Sequence, residues 1–103
     1  MKFDHIGIPT TEEREWSAYL ADCKLHVSDY SKDPFRVEWL KFEEGSSMPK
    51  ELQIGAHIAY EVENLDAALA GRQVLIEPFE PKPGVRCAFI LHLGLPVELM
   101  QKV

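Results

Sequence analysis

The chain has 103 residues, is 46% hydrophobic and 27% charged, and carries a formal net charge of -6, which suits one domain with a modest core. Its acidic balance, with lysines and arginines scattered, argues against nucleic-acid and anionic-lipid partners, and no apolar run approaches a membrane span. Two cysteines, Cys23 and Cys87, are too few for a disulfide framework, and the charged start Met1-Lys2-Phe3-Asp4-His5 has no apolar signal region, so the expected compartment is the cytoplasm.

In chain order, Phe3 to Ile8 reads as a strand closed by Pro9-Thr10. Thr10-x-x-Glu13 has the form of a capping box, and Trp16, Tyr19, Leu20 and Cys23 recur at helical spacing, so a short helix is expected from about Thr11 to Ala21. Cys23, Leu25 and Val27 alternate with Lys24 and His26, which calls for a strand beginning near Asp22, or earlier at the expense of the helix. Ser28 to Pro34 is a polar turn, and Phe35 to Phe42 is a strand. Glu43 to Gly55, with Gly45, Ser46, Ser47 and Pro49, reads as a connecting loop.

His57 to Val62 alternates as a half-buried strand. Asn64 is placed to cap a helix carrying Leu65, Ala68 and Leu69 on one face, and Gly71 to end it. Then follow Val74 to Phe79, a proline-rich connection at Pro81-Lys82-Pro83-Gly84, a strand from Val85 to Leu93, a turn at Gly94 and a last strand from Pro96 to Lys102. One helix followed by three strands is a β-α-β-β-β unit with an antiparallel or mixed sheet. Pro78, Pro81 and Pro83 assign the Val74 strand to an edge.

The chain contains this pattern twice. Asp4-His5-Ile6-Gly7 resembles Ala56-His57-Ile58-Ala59, and Val37-Glu38-Trp39-Leu40 resembles Val97-Glu98-Leu99-Met100. His5 precedes Glu38 by 33 residues and His57 precedes Glu98 by 41. The same order at comparable spacing argues for a duplicated unit, with the first module at about 1-43, a connection at about 44-55 and the second module at about 56-103. The first is shorter, so its helix is expected to be clipped or a strand to be missing.

Strand alternation places His5, Glu38, His57 and Glu98 each opposite a greasier face: Ile6 and Ile8, Val37 and Trp39, Ile58 and Tyr60, Val97 and Leu99. All four can therefore face one concavity. Two imidazoles and two carboxylates supply nitrogen and hard oxygen ligands for a divalent ion, with positions left for water or substrate. His26 and His92 read as ordinary surface histidines and the cysteines as packing residues. Arg14, Arg36 and Arg86 are available to bind a substrate anion, and nothing in the sequence separates them from ordinary surface arginines. Trp16, Tyr19, Phe79 and Phe89 are assigned to core packing ahead of a pocket wall.

Taken together, the His5-Ile6-Gly7 start, the stretch from His57 to Val62 before its helix, and the closing Val97-Glu98-Leu99-Met100-Gln101 resemble the vicinal oxygen chelate superfamily. That superfamily includes glyoxalase I, methylmalonyl-CoA epimerase, extradiol dioxygenases and bleomycin-resistance proteins. The resemblance implies an α+β fold of paired β-α-β-β-β modules whose sheets form a cup around a metal. It also implies one ligand each from the first, fourth, fifth and eighth strands, where His5, Glu38, His57 and Glu98 fall. The dioxygenases lack the ligand at the place of Glu38, so Glu38 favours isomerase or lyase chemistry.

The expected function is that of a glyoxalase- or epimerase-type enzyme with nickel, cobalt, zinc, manganese or iron. The ion chelates a small substrate through two oxygens and stabilises an enediolate or enolate, while Glu98 or Glu38 acts as general base. The alternative is a non-catalytic small-molecule-binding module like the bleomycin-resistance proteins. The expected partners are a small-molecule substrate and a second copy in a homodimer.

Overall fold

The structure is a computed structural model that describes all residues, Met1 to Val103. The chain forms two compact units, one of His5–Ala56 and the other of Met1–Asp4 with His57–Val103. No helix is long and apolar enough to cross a membrane.

The His5–Ala56 unit holds most of strand β1 (Lys2–Pro9), then β2 (Ala18–Leu20), β3 (Leu25–Val27) and β4 (Val37–Phe42). They lie in the order β2-β3-β4-β1. β4 runs parallel to β1, with Gly7 opposite Glu38, and the other two contacts are antiparallel.

The helix expected over Thr11 to Ala21 is absent, and this span is an extended coil that leads into β2. The Thr10 hydroxyl accepts from the Glu12 N–H, closing a local turn in place of a helix cap. Glu13 pairs with Lys41, the Arg14 guanidinium lies 4.0 Å over the Trp39 ring, and Trp16 sits 5.8 Å from the His26 ring. The segment spends its aromatic and charged side chains directly on the strands, on the face a helix would have covered.

Two further differences are local. The strand expected from Phe35 begins at Val37, because Arg36 takes a left-handed φ of 57° that no strand accommodates. The loop expected from Glu43 to Gly55 contains helix α1 (Lys50–Ile54), which buries Leu52. This turn of helix is too short to show a period in sequence.

The other unit contains β5 (His57–Glu61), α2 (Leu65–Leu69), β6 (Gln73–Lys82), β7 (Val85–His92) and β8 (Leu95–Lys102), with the strands in the order β5-β8-β7-β6. β5 and β8 are parallel, and the remaining contacts are antiparallel. This is the β-α-β-β-β unit expected from sequence.

Asn64 caps α2 by accepting from the Ala67 N–H at 3.0 Å, and Gly71 leaves the helix with a φ of 73°. Leu93 and Gly94 both have positive φ, the requirement of a tight two-residue hairpin. β6 is the edge strand, and its register shifts three times between Val74 and Lys82, across Pro78 and Pro81, which cannot donate to the ladder. One face of the sheet packs Ala88, Ile90 and Leu99 against Leu65 of α2, with Tyr60 and Val97 at the margin. Burying one such leucine contributes about 1.5–3 kcal/mol.

Candidate metal centre

Each unit pairs one of the expected histidines with one of the expected glutamates, and does so in the same way. In the first unit, His5 sits two residues before Gly7, and Gly7 is opposite Glu38 across a parallel contact. In the second, His57 sits two residues before Ala59, and Ala59 is opposite Glu98 across a parallel contact. Partners in a parallel ladder project to the same side of the sheet, as do residues two apart along a strand. The histidine and glutamate of each unit therefore share a face by construction.

Their side chains meet on that face. His5 Nε2 lies 3.6 Å from Glu38 Oε1, and His57 Nε2 lies 3.3 Å from Glu98 Oε1. His5, His57 and Glu98 are 2%, 3% and 8% exposed. Polar residues this buried are rare unless something compensates them. The side chain of Glu38 is more accessible, at 17%. In the second unit this face is opposite the one that carries α2, because Tyr60 and Leu99 alternate with Ala59 and Glu98.

Aromatic rings hold both imidazoles. Tyr30 stacks on His5 with centroids 4.1 Å apart and planes 17° from parallel, and the Arg36 guanidinium lies 5.1 Å from the centre of the Tyr30 ring. Phe89 meets His57 edge to face at 5.2 Å, and Phe79 stacks on Phe89 at 6.5 Å. Such contacts fix ring orientation as well as burying area. Phe89 is itself buried, and Phe79 is 38% exposed. The sequence pattern places both phenylalanines in the core and Tyr30 in a polar turn, where its aromatic ring is the one signal of a further role.

The three candidate arginines separate clearly. Arg14 is occupied by Glu12 and the Trp39 ring, and Arg86 is paired with Asp66 at 3.1 Å. Arg36 alone belongs to the aromatic column that ends on His5. His26 contacts Glu43 at 3.3 Å on the other face of its sheet, and His92 is exposed. Neither cysteine forms a disulfide. Partial burial pushes the Cys23 thiol up, away from nucleophilic use.

No family model matches the sequence, and no curated protein matches it. Solved structures do. A hypothetical protein from Bacillus halodurans superimposes with a TM-score of 0.72 at 23% identity, over 99% of this chain and 94% of that one. Methylmalonyl-CoA epimerase from Mycobacterium tuberculosis superimposes with a TM-score of 0.67 at 19% identity, over 99% of this chain and 88% of that one. The chain has the vicinal oxygen chelate fold. Within the vicinal oxygen chelate fold, His5, Glu38, His57 and Glu98 stand on the first, fourth, fifth and eighth strands. The donor chemistry of each pair, one imidazole and one carboxylate without thiolate, fits a borderline or hard divalent cation.

Proposed function

We propose that the two units act as one domain in which His5, Glu38, His57 and Glu98 hold a single divalent metal ion, and that the protein is a glyoxalase- or epimerase-type isomerase or lyase. The substrate is a small molecule with two adjacent oxygens. The observation that carries this reading is the repeated register: a buried histidine two residues before the strand position that faces a glutamate, in both units. A bound divalent ion would supply Lewis-acid polarisation of a substrate carbonyl and so make the neighbouring C–H more acidic.

The protein's own residues supply the rest. A general base must be able to reach the substrate and return. Glu38 suits this better than Glu98, since it stands farther from its histidine and is more accessible. Glu98, closer to His57 and more buried, is assigned to holding the site together. Phe89 and Phe79 form an apolar flank beside His57, which excludes water from the reacting centre and favours a substrate with an apolar body. The likeness to methylmalonyl-CoA epimerase supports including short thioesters among the substrates tried.

The same aromatic flank favours a second reading, a module that binds a small apolar molecule without turning it over. Proton exchange separates the two. The metal-loaded protein is incubated in D2O with a panel of α-hydroxycarbonyl compounds and thioesters, and deuterium entering next to the carbonyl is read by NMR. The enzyme reading expects exchange that fails in Glu38→Gln and in the chelated protein. Saturable binding of panel members with no exchange at any metal loading would leave the binding module.

A further inference from the structure

The sheet of the second unit has a face that its helix only partly covers. At 1.5 Å per residue, the five residues of α2 run for about 7.5 Å. The eight-residue strands β7 and β8 beneath it run for about 26 Å. The helix is pinned at its N-terminal end, where the Leu65 N–H donates to Gln101 Oε1 at 2.7 Å and Asp66 pairs with Arg86. Past Leu69, the last residue to pack on this face, the helix ends and the chain turns away at Gly71.

What remains is a cleft of about 560 Å³, within the range of small-molecule sites. Its floor is Tyr60, Ile90, Val97 and Leu99, and one wall is Ala68 of α2. The ionisable side chains at its lip are Arg72 and His92, both exposed and neither engaged in an ion pair. No carboxylate lines the cleft, although the chain has 17 acidic residues against 11 lysines and arginines. An apolar trough with basic side chains at its mouth, on an acidic protein, is complementary to an amphipathic anion.

We propose that this cleft is a second binding site, separate from the His57–Glu98 face, and that it takes a small amphipathic carboxylate of the medium-chain fatty acid type. The apolar body lies over Tyr60 and Val97, and the carboxylate sits at Arg72 with His92 as a further donor. An exposed arginine adds only a modest share of the affinity, so most of the binding comes from the buried chain.

The test is calorimetric titration with octanoate and with octanamide, its uncharged counterpart. EDTA is present so that no carboxylate can bind through a metal. Wild-type protein should take up one octanoate per chain and bind octanamide more weakly. Arg72→Gln should weaken octanoate about fivefold, the upper end for an exposed charge pair, and leave octanamide unchanged. Ala68→Phe, which fills the trough from the helix side, should abolish binding of both while circular dichroism shows the fold retained. Absence of saturable octanoate binding to the wild type would overturn the proposal, as would binding indifferent to both substitutions. So would sedimentation showing that Ala68→Phe instead dissociates a dimer, which would make the trough a contact between copies of this chain.

Discussion

Replacing both His57 and Glu98 by leucine asks whether this pair serves the fold or an ion. The pair lies 3.3 Å apart and is almost wholly buried. An ion pair at that separation would gain about 5 kcal/mol at an effective dielectric of 20. Burying each charge costs several kcal/mol, so the net contribution to the metal-free fold is close to zero. Phe89 and Ala59 already make the neighbourhood apolar, and two leucines can use it. In EDTA, urea unfolding of the double variant should give a stability equal to wild type or higher by about 1–4 kcal/mol. Glu98→Leu alone should be less stable than the double variant, because His57 loses the carboxylate beside it. Wild-type protein in metal at a hundred times its dissociation constant should gain about 2.7 kcal/mol, a gain the double variant lacks. A double variant that loses more than about 2 kcal/mol in EDTA would instead make the pair a structural element of the metal-free fold.

Leu65→Ala removes a fully buried side chain from the contact between α2 and Leu99, and denaturant midpoints should show a loss of about 2–5 kcal/mol. Asn64→Ala deletes the bond to the Ala67 N–H and should cost about 1 kcal/mol, with hydrogen exchange accelerated first in α2. The Tyr19 hydroxyl donates to Glu43, which raises Tyr19 above its ordinary phenol value and, with help from His26, lowers Glu43 below its ordinary carboxylate value. The Glu43 contribution to stability is present above the ordinary carboxylate pKa and lost as pH falls through the lowered one. The Tyr19 contribution is present below the ordinary phenol pKa and lost as pH rises through the raised one. Thermal midpoints of wild type and Tyr19→Phe should therefore differ at neutral pH and converge at both the acid and the alkaline limit.

The second unit was legible in the sequence because its signals are local. Alternation from His57 to Val62, the Asn64 cap and the Leu93-Gly94 turn each act within a few residues, and each appears in the structure. The first unit was less legible between Thr10 and Cys23. There Trp16 and Tyr19 have helical spacing, yet Trp16 packs on His26 and Tyr19 faces His26 and Glu43 from a strand. Those tertiary contacts outweigh a weak local preference for helix. That His5 shares a sheet face with Glu38, and His57 with Glu98, was readable from strand parity, whereas the rings that orient the two histidines were not. Tyr30 reaches His5 from a 3-10 turn, and Phe89 reaches His57 across the sheet; neither arrangement has a sequence period.

Metal stoichiometry decides whether the two His–Glu pairs hold one ion between them, as we propose. Native mass spectrometry and elemental analysis of protein loaded with zinc, nickel, cobalt, manganese or iron in turn should find one ion per chain for at least one of these metals. Both His5→Ala and His57→Ala should lose that ion, each from a different unit. Two ions per chain, each removed by only one of the substitutions, would mean that the pairs are separate sites; no ion with any of the metals would mean that they are not a metal centre at all.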